Sequence, residues 1–79
     1  MKELVTTIVK ALVDEPEKVQ INEISGTTTD IIEILVSKND LGKVIGKKGN
    51  TAYCIRNLIC AASFRTKKRY TVNITSLEN

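Results

Sequence analysis

Residues 42 to 49 of this chain of 79 residues read GKVIGKKG. Gly46 is expected to end a helix, because glycine adopts the left-handed backbone that other residues avoid. Gly49 leaves no Cβ where the next helix begins, so an anion can approach the amides and the positive dipole of that helix. Lys47 and Lys48 add positive charge without a fixed geometry. The stretch therefore predicts an anion-binding turn between two helices.

The motif by itself allows other interpretations. A nucleotide-binding P-loop needs four residues between its glycines and then Lys followed by Ser or Thr. Here Gly42 and Gly46 enclose three residues, and Lys47 is followed by Lys48, so the P-loop is excluded. A plain corner between two helices with solvated lysines stays open, because a bare GxxG is common by chance.

The hydrophobic pattern around this turn predicts two helices and a strand in the second half of the chain. A short helix over 41–45 is capped by Asn39 or Asp40, and a longer helix runs from Asn50 to about Phe64. A basic loop follows at 65–69, and a strand over 70–75 ends the pattern. The positions predicted to face the core are Ala52, Ile55, Ile59 and Ala62 of the long helix and Tyr70, Val72 and Ile74 of the strand.

The first half of the chain predicts a helix and a β-hairpin. The helix covers residues 2 to 13 and ends before Pro16. Alternation at 19–22 and at 31–36 predicts two strands, joined by a turn at 26–28, with Ile32, Ile34 and Val36 on one face. The apolar stripe of the helix consists of Leu4, Ile8, Ala11 and Leu12, widened by Val5 and Val9.

These elements predict an α+β fold in the order α-β-β-α-α-β. The hairpin makes the first two strands antiparallel, and the helical crossover returns the third strand parallel to the second. Three helices are then expected to cover one face of a three-stranded mixed sheet. A chain of this length is expected to form one domain over residues 1–79.

The charges are divided unequally along the chain. Residues 1–36 hold three lysines and seven acidic residues, a net charge of −4, whereas residues 37–79 hold nine basic and two acidic residues, a net charge of +7. The basic half suits a polyanion, although a merely solvated basic surface gives the same pattern. No apolar run is long enough for a membrane span and no signal peptide is recognisable, so a cytoplasmic protein without membrane partners is expected.

Catalysis, metal binding and cofactors find little support in the residues. The chain has no histidine and no evident nucleophile and base pair, so an enzyme is not expected, and neither is a cofactor. Cys54 and Cys60 lie six positions apart in one helix, on different faces, and are expected to be free buried thiols. Tyr53, Phe64 and Tyr70 are expected in the core or at caps more than as stacking platforms for bases.

The apolar pair Val44-Ile45, the GxxG and the apolar helix after them resemble the KH family. The element order is similar to that of type II KH domains. More narrowly, the whole chain resembles the KhpA or YlqC-like family of bacterial single-KH proteins, in its length, in Asp14-Glu15-Pro16 after the first helix and in the run 42–49. Ala52 departs from the wider pattern, in which a larger aliphatic residue is common.

The resemblance implies single-stranded RNA as the partner, held through its backbone by Gly46 to Gly49 over an apolar floor at Ile45. Lys43 and Arg56 are implied as further RNA-binding residues, and the variable loop that supplies Arg65, Lys67, Lys68 and Arg69 as the other wall of the groove. It also implies post-transcriptional regulation or RNA chaperone activity, linked to cell shape. Sequence selectivity is expected to be modest, and single-stranded DNA remains an alternative ligand.

An interaction module with secondary nucleic-acid affinity is the alternative function. The resemblance implies a homodimer, a heterodimer with a Jag or EloR-type KH protein, or both. An apolar contact is available from Leu58, Cys60, Ala61 and Phe64 of the long helix. These side chains equally suit packing against the first helix, and the sequence leaves both arrangements open.

Overall fold

A computed structural model describes residues 1–65 and 68–77 of the chain. The elements are α1 (Lys2–Leu12), β1 (Gln20–Ile24), β2 (Thr29–Val36), α2 (Lys38–Ile45), α3 (Asn50–Ser63) and β3 (Arg69–Ser76), with 3-10 turns at Pro16–Lys18 and Lys47–Gly49. The predicted order α-β-β-α-α-β is confirmed. No helix within the described ranges is both long and apolar enough to cross a bilayer.

The three strands form one mixed sheet in the order β1-β2-β3. β1 runs antiparallel to β2, with Ile21 opposite Ile34, and β3 runs parallel to β2, with Val72 opposite Ile32. Along β2 the side chains alternate strictly between buried and half-buried, because successive residues of a strand point to opposite faces. The predicted hairpin and parallel crossover are both confirmed.

The hydrophobic core lies between the helices and one face of this sheet. Each fully buried aliphatic side chain contributes about 1.5–3 kcal/mol relative to an exposed one. Their shared packing fixes α2 and α3, and hence the turn between them, on the sheet. The buried cluster consists of Val5, Val9, Val13, Ile21, Ile32, Ile34, Val36, Val44, Ile55, Ile59 and Val72.

The stripe that α1 buries differs from the predicted one. Val5 and Val9 are fully buried and Val13 follows them at the same spacing, whereas Leu4 is 43% and Leu12 38% exposed. Ala11, also predicted to face the core, is exposed as well. Two adjacent stripes of this helix are apolar, and only the packing against the sheet decides which one is buried. The predicted stripe was therefore right for Val5, Val9 and the half-buried Ile8, and wrong for Leu4, Ala11 and Leu12.

The short helix α2 begins three residues earlier than predicted, and neither predicted cap acts as one. Ser37 precedes the helix, and its carbonyl accepts the amides of Asp40 and Leu41 at 3.0 and 3.1 Å. Asp40 lies inside the first turn and is fully buried. Its carboxylate faces the segment after α1, because the amides of Asp14 and Glu15 donate to it.

Two further predictions need correction near α3. Cys54 and Cys60 are free but exposed, because α3 buries the stripe of Ala52, Ile55 and Ile59, from which both cysteines are rotated away. The predicted loop 65–69 is shorter, since Arg69 is already the first residue of β3. Thr66 and Lys67 of that loop lie outside the described residues.

Candidate nucleic-acid interface

The turn at 46–49 combines three residues with positive φ. Gly46 has φ 77° and ψ 174°, and its amide donates to the carbonyl of Gly42 at 2.8 Å, which ends α2. Lys48 is left-handed at φ 56°, and Gly49 is left-handed at φ 77°. The amide of Gly49 donates back to the carbonyl of Gly46 at 3.2 Å, so the turn is closed by its own backbone before α3 begins.

Glycine is required at Gly46 by contact as well as by backbone shape. A Cβ there would lie 2.2 Å from Oγ1 and 2.7 Å from the backbone nitrogen of Thr51. A Cβ at Gly49 would meet nothing within 4 Å, so that position is constrained by φ alone. The turn thus rests directly on the first turn of α3, where the amide of Asn50 donates to the carbonyl of Lys47 and the next amides have no intrahelical acceptor. Those amides favour an anion at this end of the helix.

Lys47 and Lys48 project from the turn into solvent. Neither has an ion-pair partner in the part of the chain that the structure describes. Ile45 immediately precedes the turn and is 36% exposed, so it offers an apolar surface there. Ala52, whose small side chain marks the departure from the wider KH pattern, is buried. The structure therefore brings Ile45 and both lysines together with the glycines.

Lys43 is engaged with acidic side chains of the protein. Its ammonium pairs with Asp14 and lies 3.8 Å from Oδ1 of Asp40. The hydrogen bond to Asp14 and the two negative charges raise the pKa of Lys43, against its partial desolvation. Burial would raise the pKa of Asp40, but amides of Asp14 and Glu15, the Ser37 hydroxyl and Lys43 together hold it below its usual value. Lys43 and Asp40 thus join α2 to the segment after α1.

A cleft of about 490 Å³ runs between α3 and β3. Arg56, predicted to contact phosphate, lies on the helical wall. The other lining residues were not predicted as site residues, because only the packing of β3 beside α3 brings them to Arg56. They are Asn57 and Cys60 on α3, and Tyr70, Thr71 and Val72 on β3.

Three of the predicted cations lie at the far end of α3. Arg65 follows the helix and is exposed, and Lys68 and Arg69 lead into β3. The Lys68 ammonium lies 3.5 Å from Oδ2 of the buried Asp30. Lys67, the fourth cation predicted here, lies outside the described residues. The described cations thus bracket the α3–β3 cleft at the end opposite the turn.

The three aromatic residues differ in whether they match their predicted placement. Tyr70 is half-buried and packs against the core, as predicted. Tyr53 is 64% and Phe64 80% exposed, so both are surface side chains. The prediction of core or cap positions was wrong for Tyr53, which α3 presents outside its buried stripe, whereas Phe64 is the C-cap residue of α3 and so occupies one of the predicted kinds of position.

A GxxG turn between two helices that pack on a three-stranded mixed sheet of this order defines a KH domain, here in the type II arrangement. Residues 2–74 match the family model described as KhpA/KhpB, KH domain. The chain belongs to the KhpA/KhpB family of KH domains, as the sequence resemblance predicted.

Curated relatives agree with this assignment over nearly the whole chain. The RNA-binding protein KhpA of Caldanaerobacter subterraneus subsp. tengcongensis is 54% identical over 74 residues, which cover 94% of this chain and 99% of that protein. The RNA-binding protein KhpA of Clostridium perfringens is 49% identical with the same coverage. The RNA-binding protein KhpA of Chlamydia trachomatis serovar D is 45% identical over 74 residues, which cover 94% of this chain and 95% of that protein.

Proposed function

We propose that this protein binds single-stranded RNA and that the turn at 46–49 holds the sugar-phosphate backbone. The observation that carries the proposal is the geometry of the turn: positive φ at Gly46, Lys48 and Gly49, with two solvent-facing lysines against the start of α3. Family membership and the names of the relatives support RNA as the ligand. The protein binds RNA without a chemical step. It acts in the cytoplasm as a post-transcriptional regulator or RNA chaperone.

The α3–β3 cleft is proposed to accept the bases of the bound strand. Arg56 supplies a cation for the backbone, while Asn57 and Thr71 supply polar groups that meet base edges. The exposed variable-loop cations Arg65, Lys68 and Arg69 extend the positive surface beyond it. Lys67 is proposed as an RNA-binding residue from the sequence resemblance alone. Lys43 has a smaller part in this proposal, because its charge is already paired with Asp14 and Asp40.

The test replaces both lysines of the turn, as Lys47→Asp/Lys48→Asp, and measures RNA affinity by fluorescence anisotropy. Both side chains are exposed, so the fold should persist in circular dichroism. Affinity for a mixed single-stranded RNA pool should fall by about 50-fold or more, because two phosphate contacts become repulsive. The matched control is Lys2→Asp/Lys10→Asp on α1, which changes the net charge equally. Equal losses of RNA affinity in both double variants would contradict the proposal that the turn at 46–49 holds the RNA backbone.

The salt dependence of RNA affinity distinguishes binding at the turn from binding to a diffuse basic surface. A turn that holds about four nucleotides neutralises about two to four phosphates, so log affinity should fall against log salt with a slope of about −1.4 to −2.8. The strand must splay its bases, so single-stranded RNA should bind more tightly than an A-form duplex of the same length. A slope of about −6, or equal affinity for both ligands, would contradict the mechanism.

Pairing with a second copy of this chain is the second proposed function. Leu58 is 51% exposed and Ala61 is exposed, so these side chains do not pack against α1 as the alternative arrangement required. With Cys54 they form an uncharged row along α3 at spacings of four and three, which can meet its own copy across a two-fold axis without like-charge repulsion. Cys60 belongs instead to the α3–β3 cleft.

Sedimentation tests the pairing. The wild-type protein should be a dimer at micromolar concentration, and Leu58→Asp should shift it to the monomer, with weaker RNA binding through lost avidity. Leu4→Asp, at a comparably exposed leucine on α1, is the control and should remain dimeric. A wild-type monomer that dimerises only with a Jag or EloR-type KH protein would assign the row to that partner.

A further inference from the structure

One face of α3 carries both exposed aromatic side chains. Tyr53, Asn57, Cys60 and Phe64 follow one another at spacings of four, three and four residues, so they lie on one side of the helix. Phe64 keeps this alignment because its backbone is still helical, at φ −58° and ψ −29°. Tyr53 and Phe64 are also the two most exposed of the large hydrophobic side chains that the structure describes. We call these four residues the aromatic stripe.

The aromatic stripe faces the α3–β3 cleft. Its two middle residues, Asn57 and Cys60, line that cleft. Each aromatic residue lies four positions from one of them, about 6 Å along the helix axis. Side chains of a helix lean toward its N-terminus, so Tyr53 leans toward the turn at 46–49 and Phe64 leans back toward the cleft. The two exposed rings therefore lie at the rim of the cleft, one at each end.

The charges around the aromatic stripe favour a polyanion as its ligand. α3 contains no acidic residue. Arg56 lies beside the stripe in the wall of the cleft, Arg65 follows Phe64, and Lys47 and Lys48 precede the helix. Cations that follow the backbone, together with rings that stack on bases, are how proteins bind single-stranded nucleic acids. An apolar protein surface would instead bury these cations without an anion, which is costly.

Both rings are available to a ligand, and each can take a base of its own. Within residues 1–65 and 68–77, the hydroxyl group of Tyr53 has no hydrogen-bond partner. Tyr53 and Phe64 lie 11 positions apart, about 16 Å along the axis. Neighbouring bases in a stack are only about 3.4 Å apart. The two rings therefore serve two separate positions along a bound strand.

We propose that Tyr53 and Phe64 are stacking platforms for two bases of the bound RNA, one at each end of the α3–β3 cleft. The proposal rests on the proposed RNA-binding function and deepens it. It adds an attraction for bases, independent of charge, to the contacts that the turn at 46–49 makes with phosphates. A strand that carries bases is then preferred over a polyanion without them.

The experiment compares an adenosine dodecamer with an abasic dodecamer, which has the same phosphates but no bases, by fluorescence anisotropy. Tyr53→Ala and Phe64→Ala should each weaken binding of the adenosine dodecamer about tenfold, within the range of about 5- to 150-fold for one stacked base. Binding of the abasic dodecamer should stay within about twofold, and the salt slope for the adenosine dodecamer should not change, because no phosphate contact is lost. Tyr53→Phe and Phe64→Tyr keep a ring and should retain affinity. Leu4→Ala on α1 is the control for the loss of an exposed apolar side chain.

The two ligands distinguish this proposal from that for the turn at 46–49. If Lys47→Asp/Lys48→Asp left binding of both dodecamers unchanged, the turn would not hold the backbone. If those lysines were required but both alanine variants bound the adenosine dodecamer like the wild type, the stacking proposal alone would be wrong. Equal losses on both dodecamers would also overturn it, because the rings would then not act through bases. Alanine variants that sediment as monomers, where the wild-type protein is a dimer, would assign the aromatic stripe to pairing with a second copy.

Discussion

Replacing the three glycines of residues 42–49 one at a time with alanine should give three different effects on stability. Gly46→Ala is the most severe, because its backbone at φ 77° and ψ 174° lies in a region that only glycine occupies readily. That strain costs about 1–3 kcal/mol. The new Cβ would also lie 2.6 Å from the Cβ of Thr51, so the first turn of α3 must move. We expect a loss of about 3 kcal/mol in the free energy of unfolding and, because the turn is displaced, weaker RNA binding.

The other two glycines provide the internal controls. Gly49→Ala meets nothing within 4 Å and pays only for its left-handed φ of 77°, a cost of about 1–2 kcal/mol. Gly42→Ala lies inside α2 with open space around it and should stabilise the protein by about 0.5–1 kcal/mol. Urea denaturation followed by circular dichroism measures all three. If Gly46→Ala were no more costly than Gly49→Ala, the contact with Thr51 would not constrain the turn.

Two further predictions concern the buried face of α1 and the contact of Asp40 with the segment after α1. Val9→Ala should lower the free energy of unfolding by about 2 kcal/mol and Leu12→Ala by less than half as much, since only the valine is fully buried. If urea denaturation gave the reverse order, Leu12 and not Val9 would face the core. The pKa of Asp40 is held below its ordinary 3.8 in the folded protein, so its ionised form contributes stability above that pH, and the contribution is lost as the pH falls through the lowered pKa. Asp40→Asn should therefore make the free energy of unfolding fall less steeply as the pH is lowered. An unchanged dependence on pH would contradict the stabilising role of the ionised Asp40 carboxylate.

Local sequence signals predicted most of the fold. Gly46 ended α2 as expected, because the requirement for a positive φ is a property of a single residue. The alternation of Ile32, Ile34 and Val36 gave the buried face of β2, because strand periodicity follows from backbone geometry. The element order and the strand directions then followed from connection lengths.

The predictions that failed depend on contacts between distant parts of the chain. Asp40 looks like a helix cap in sequence, but its partners are amides more than 20 positions away. Which of two apolar stripes of α1 faces the sheet is likewise decided by packing. For the interface, the residue types of the turn were informative, whereas Asn57 and Thr71 carry no motif and meet only because β3 lies beside α3.

The parallel pairing of β3 sets the order in which this chain can fold. Thr29 pairs with Arg69 and Val36 with Ser76, so every pair along these strands joins residues 40 positions apart, whereas the closest pair of the hairpin joins Ile24 to Ile31. Hairpins form in about 1–10 μs, while topologies with many distant contacts fold in milliseconds or longer. We expect docking of β3 to limit the refolding rate. During synthesis, the edge of β2 that pairs with β3 therefore stays unpaired until the last strand emerges, which is the period when this chain is most open to aggregation.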